Sequence, residues 1–80
     1  MTRRHLVVDP RDNVSTLLDE QIDDVSLDGA GAISPGIPFG HKVAIRPIAL
    51  GEAVIKYGIA IGVATTDIPA GAHVHVHNCR

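Results

Sequence analysis

Glycine and proline interrupt this chain so often, eight and five times in 80 residues, that no long helix can run through it. Residues 29–40, GAGAISPGIPFG, concentrate four glycines and two prolines. That stretch reads as a loop carrying one short strand around Ala32-Ile33. On either side the apolar residues come in short β-branched runs closed by turn residues. Leu6-Val7-Val8 ends at Asp9-Pro10, and Val14 to Leu18 reads as a strand because no apolar face at helical spacing continues beyond it. Lys42 to Ile45 stops before Pro47. Ala53 to Lys56 and Ile59 to Ile61 flank Tyr57-Gly58, where Gly58 can take a positive φ. Val63 to Thr66 follows Gly62, and His73 to His77 follows the turn at Pro69-Ala70-Gly71. Strands this short and this regularly spaced predict a single all-β domain over 1–80.

Composition removes several classes of function. The single Cys79 closes no internal disulfide. No apolar run approaches the ~20 residues of a membrane helix, and no signal-peptide core follows Arg3 and Arg4. Aromatic residues are limited to Phe39 and Tyr57 and the net charge is −2, so no nucleic-acid partner is expected. A soluble, cytoplasmic protein is the expectation. The charge is uneven: residues 1–40 carry seven acids against Arg3, Arg4 and Arg11, a balance of −4, and residues 41–80 carry Glu52 and Asp67 against Lys42, Arg46, Lys56 and Arg80, a balance of +2. The second half is the side that suits an anionic ligand.

The second half also contains an internal echo. Ile48-Ala49-Leu50-Gly51-Glu52-Ala53-Val54 and Ile68-Pro69-Ala70-Gly71-Ala72-His73-Val74 both read I-x-x-G-x-x-V. Two copies fall short of a stacking repeat, and the shared spacing reads as one turn chemistry used twice.

The residues able to carry chemistry are mostly histidines. His73, His75 and His77 alternate with Val74 and Val76, so a continuous strand would line one face with imidazoles and send both valines inward. Neighbours in such a row stand roughly 6.8 Å apart and the outer pair roughly 13 Å. Two of them can share a metal, and a third ligand must come from elsewhere, with Asp9, Asp12 and His41 as candidates. His41-Lys42 after Gly40 sets a titratable ring beside a fixed cation, a pair suited to a carboxylate-bearing substrate. Asp12-Asn13 is read as a turn pair near that substrate. Tyr57 is placed in the core or at its rim, and nothing resembles a nucleophilic triad or a phosphate-binding glycine loop.

Four segments carry a family resemblance: Asp12-Asn13-Val14, Gly40-His41-Lys42-Val43-Ala44, the run Val54 to Gly62 with its I-K-Y-G-x-x-I-G pattern, and Asp67 to Asn78 ending H-V-H-x-H-N. Together they resemble the amino-terminal SAF domain of altronate dehydratases, over roughly residues 5–80. The small subunit of sulfolactate sulfo-lyase and the first domain of galactarate dehydratase are similar. The resemblance implies a β-clip, a compact fold of short strands doubled over on itself. It implies a lyase that removes water, or sulfite, from a polyhydroxy or sulfo acid, with iron or another divalent metal in the complete enzyme. Such an ion acts as a Lewis acid on the carboxylate while a base takes the α-proton. Asp9 stands where the family usually has a histidine.

The reading that follows is an accessory domain or small subunit that helps bind or cap a sugar acid, with altronate favoured by the H-V-H-x-H-N ending. It is not expected to be active alone. The substrate-binding residues are expected to be His41, Lys42, Asp12 and Asn13, and the metal-ligating residues Asp9, His73, His75 and His77. The partner is a large catalytic domain or subunit, and exposed strand edges suit a homodimer. The competing readings are a non-catalytic docking or dimerisation module and the small subunit of a sulfo-lyase.

Overall fold

The computed structural model describes residues 2–29 and 31–80, and these form strands, turns and loops with no helix. Ala30, inside the predicted glycine–proline loop, lies outside the described residues. Strands β1 (His5–Leu6), β2 (Val14–Leu17), β5 (Lys42–Ala44) and β8 (His73–Val74) make an antiparallel sheet in the order β1-β2-β5-β8. Two further antiparallel pairs join β3 (Ser26–Leu27) to β4 (Gly31–Ala32), and β6 (Ala53–Lys56) to β7 (Ile59–Val63). The all-β expectation is met.

Side chains alternate across the main sheet, and apolar residues cover both of its faces. Val14, Ala44 and Val74 meet Ile48, Val54, Ala64 and Ile68 in one core. Leu17 and Val43 meet Leu27, Ile33 and Ile37 in a second. Two small cores on opposite faces of one sheet let so short a chain bury Leu17, Ile37, Val43, Ile48, Val54, Ile68 and Val74 almost completely.

The I-x-x-G-x-x-V echo is the organising symmetry of the first core. Ile48 and Ile68 donate backbone hydrogen bonds to each other at 2.8 and 2.7 Å. Gly51 N–H donates to Ala64 O, and 20 residues along Gly71 N–H donates to Ala44 O. Ala64 N–H to Glu52 O is matched in the same way by Ala44 N–H to Ala72 O. Strand register obeys the same exchange: Ala53↔Val63 and Val54↔Gly62 correspond to His73↔Val43 and Val74↔Lys42. The two copies therefore clasp one another about a local two-fold, beyond sharing a turn type. Gly71 shows what the clasp requires: its φ is +88°, and a Cβ there would strike the Ala32 carbonyl oxygen.

Three polar side chains tie the pieces together. Asn13 is buried, donates from Nδ2 to Ala53 O (2.9 Å) and accepts at Oδ1 from Ile55 N–H (2.7 Å), so it joins β2 to β6. Asp12, also buried, accepts from Gly58 N–H at 2.8 Å and from the N–H groups of Val8 and Asp9. Gly58 and Tyr57 both have positive φ, +72° and +58°, the geometry of a two-residue hairpin loop that matches strand twist. Arg3 is fully buried, donating from Nε to Asp19 Oδ1 at 2.9 Å, from Nη2 to Asp19 O and from Nη1 to Ile37 O.

Several element bounds differ from expectation for local reasons. The first strand ends at Leu6 because Asp12 draws Val8 N–H into its turn. Gly62 does not divide two strands: β7 runs through it, with Ile61 as an extra residue between the Val54↔Gly62 and Ile55↔Ala60 pairs. Residue 62 lacks a Cβ where Cys79 and Arg80 lie against the strand. Strand β8 stops at Val74, well short of His77. Tyr57 lies at the rim, about half exposed, with Lys56 Nζ 5.0 Å from its ring centre.

Candidate functional site

Asn78 determines where the histidines go. Its buried side chain accepts from His75 N–H at 3.0 Å and donates to His73 O at 2.8 Å. The backbone N–H groups of Asn78 and Cys79 both return to His75 O. These bonds convert residues 75–78 into a turn, so the predicted row of three imidazoles on one strand does not form. Val76 faces solvent at 82% exposure, against the expectation that it enters the core, whereas Val74 is buried as expected.

The turn places the rings in a cluster instead. Strand β5 runs antiparallel to β8 with Lys42 opposite Val74, which sets His41 beside His75 just past the last ladder pair. Their rings stack with centroids 4.4 Å apart and planes 17° from parallel. His41 Nδ1 lies 2.9 Å from His73 Nε2. The His73 ring is 5.6 Å from that of His75 and 5.4 Å from that of His77. His41, His73 and His75 are half-buried, and His77 is exposed.

Burial pushes the pKa of His73 down, and the nearby charges of His41, His77, His75 and Lys42 push it further the same way. His75 is lowered by desolvation first, then by His41, Lys42 and His77. Both shifts favour the neutral ring, which keeps one unprotonated nitrogen. Among the described residues no carboxylate is hydrogen-bonded to any of the four histidines in the cluster.

Next to it lies a cleft of about 200 Å³ lined by Lys42, Ile61, His75, Val76, Cys79 and Arg80. Lys42 and Arg80 give it two cationic walls, and His75 belongs to both cleft and cluster. A carboxylate fits these surroundings, which hold two cationic side chains and the His75 imidazole.

The other predicted site residues have different surroundings. Asp9 accepts from Arg11 Nε and Nη2 in a surface ion pair, and Arg11 holds its pKa down to about 2. Burial alone would raise Asp12, but the N–H groups of Gly58, Asp9, Tyr57 and Val8 hold it below the ordinary carboxylate range. Among the described residues, the ligand atoms that converge within 4.8 Å come from His41, His73 and His75, and neither Asp9 nor Asp12 joins them. Asn13 has its side-chain amide fully engaged with β6. Sequence reasoning missed Asn78 and Arg80, and the signal for Asn78 was its place directly after the last histidine.

The chain belongs to the altronate/galactarate dehydratase SAF domain family, whose family model matches residues 3–80. It is 40% identical over 80 aligned residues to altronate dehydratase from Escherichia coli, an alignment covering 96% of this chain and 16% of that protein. It is 50% identical over 48 residues to (2R)-sulfolactate sulfo-lyase subunit alpha from Chromohalobacter salexigens, covering 60% of this chain and 51% of that subunit. Altronate dehydratase from Bacillus subtilis is 42% identical over 48 residues, or 10% of its length. The chain thus spans about a sixth of the first of these relatives and half of the second. Among the described residues no helix is long and apolar enough to cross a membrane.

Proposed function

We propose that this chain is the substrate-facing accessory part of a lyase that eliminates water from a sugar acid of the altronate type, with the catalytic part supplied by a larger domain or subunit. The observation that carries this reading is the cleft in which Lys42 and Arg80 stand beside the His41–His75 stack with no Asp or Glu among its lining residues. Lys42 and Arg80 would hold the substrate carboxylate by charge-assisted hydrogen bonds. Neutral His75 would donate to, or accept from, a hydroxyl of the same ligand, and His41 would fix the orientation of the His75 ring. Altronate is favoured over sulfolactate because the likeness to altronate dehydratase reaches across 96% of the chain, against 60% for the sulfo-lyase subunit. A cytoplasmic location fits a chain with a single, unpaired cysteine.

Docking to the larger part also has a surface to use. Ile59, Ile61 and Val63 on β7 are exposed at 65%, 46% and 44%, apolar surface around the hairpin that suits a catalytic partner or a second copy of this domain. If the domain serves for docking alone, the cleft residues are incidental. Steady-state kinetics on the complete lyase separate the two. Lys42→Ala is expected to raise KM on the order of tenfold or more, the loss of one charge-assisted contact, and His41→Ala to lower kcat/KM. Unchanged kinetics in both variants would leave docking as the domain's only role.

A further inference from the structure

We propose that His41, His73 and His75 form a three-imidazole site for a divalent first-row transition ion, with its remaining coordination positions open toward the Lys42 cleft. One ring nitrogen from each residue lies within 4.8 Å of the other two. His41 Nδ1 and His73 Nε2 are already 2.9 Å apart. Two imidazoles bound at about 2.1 Å and at right angles hold their nitrogens about 3 Å apart, so this pair has the bite of a bound ion. His75 completes the set with a ring nitrogen within 4.8 Å of both, its ring centroid 4.4 Å from that of His41.

The surroundings favour such an ion. Asn78 pins the backbone on both sides of the ligand pair, at His73 O and His75 N–H, so the His73–His75 spacing does not have to be ordered when metal arrives. The ligand set is all nitrogen, which selects Fe²⁺, Co²⁺, Ni²⁺ or Zn²⁺ over Mg²⁺ and Ca²⁺, whose preference is for oxygen. Three protein ligands leave positions free, the arrangement of a site that receives a substrate group. Lys42 would repel the ion itself weakly but draws a carboxylate toward those free positions. His77 stays outside the set, since its exposed ring meets His73 at a 50° tilt.

The inference deepens the carboxylate reading, on which it rests for the use of the open positions, and its test needs no substrate. Metal-free protein is titrated with Co²⁺ and followed by visible ligand-field absorption, with circular dichroism confirming that each variant folds. Binding is expected to saturate at one ion per chain and to persist in excess Mg²⁺. His41→Ala and His73→Ala should each weaken it on the order of 100-fold, and His77→Ala by less than about threefold. Wild-type protein that shows no cobalt spectrum at a large excess of the ion overturns the proposal. So does a site abolished by His77→Ala but indifferent to His41→Ala. Cobalt binding in a chain whose Lys42→Ala variant leaves the KM of the complete lyase unchanged supports the metal site while removing the carboxylate reading.

Discussion

Ile48 and Ile68 each donate a backbone hydrogen bond to the other, and the segments that follow them, through Val54 and Val74, repeat each other's contacts with a 20-residue offset. The first core is built from the corresponding pairs Ala44 and Ala64, Ile48 and Ile68, Val54 and Val74, together with Val14. The residues have diverged within this frame. Strand β5 leads in from His41 and Lys42, whereas the equivalent positions on β7 are Ile61 and Gly62. One copy brings His41 and Lys42 to the cluster and cleft, and the other brings His73 to the cluster and Ile61 to the cleft.

The exchange gives a controlled comparison of two glycines. Gly51 and Gly71 have φ of +83° and +88°, but a Cβ at residue 51 meets nothing within 4 Å while one at residue 71 meets Ala32 O. Gly51→Ala should cost about 1 kcal/mol, the strain of a left-handed alanine. Gly71→Ala adds a backbone clash and should cost about 3 kcal/mol. Urea midpoints of the two variants check the difference.

Asn13→Ala removes both side-chain bonds between β2 and β6 and leaves Ala53 O and Ile55 N–H without them. A loss of about 3 kcal/mol is expected from two such groups. Asn13→Asp should lose much of the same stability, because a carboxylate oxygen would then face the Ala53 carbonyl. Thermal unfolding of both variants measures this.

Acid should destabilise the fold in two windows of the same sign. His73 and His75 have pKa values lowered from 6.5 in the folded state, so the unfolded chain takes up protons first as pH falls below that value. Asp9, Asp12 and Asp19 are lowered from 3.8, Asp9 to about 2. Their contribution is complete above 3.8 and disappears as pH falls through the folded values. Denaturant midpoints of metal-free protein should therefore decline from pH 7 to 5 and again from pH 4 to 2. A His73→Gln variant should flatten the upper decline only.

Much of this was legible in the chain. The glycine and proline spacing marked the strands β2, β5 and β6 nearly to the residue, whereas the I-x-x-G-x-x-V echo, read as a shared turn, is a reciprocal clasp as well. The site was harder to read because its shape depends on Asn78, whose hydrogen bonds to His73 O and His75 N–H cannot be inferred from alternation. Alternation alone predicts a strand to His77. Nothing in the sequence marks Arg3 as buried, because its burial depends on Asp19 and on Ile37 O, 16 and 34 residues away. Asp12 and Asn13 look like substrate groups in sequence, yet their polar atoms hold backbone in place. Asn78→Ala should free the turn, costing about 2 kcal/mol and broadening the His73 and His75 resonances.

The most direct test of the account is a nuclear magnetic resonance titration of the chain with altronate, galactarate and sulfolactate. Binding at the cleft predicts amide shifts confined to Lys42, Ile61 and residues 73–80, removed by Lys42→Ala and strongest for altronate. No shifts at high ligand concentration, or shifts confined to residues away from the cleft, would contradict a substrate-facing role for this domain.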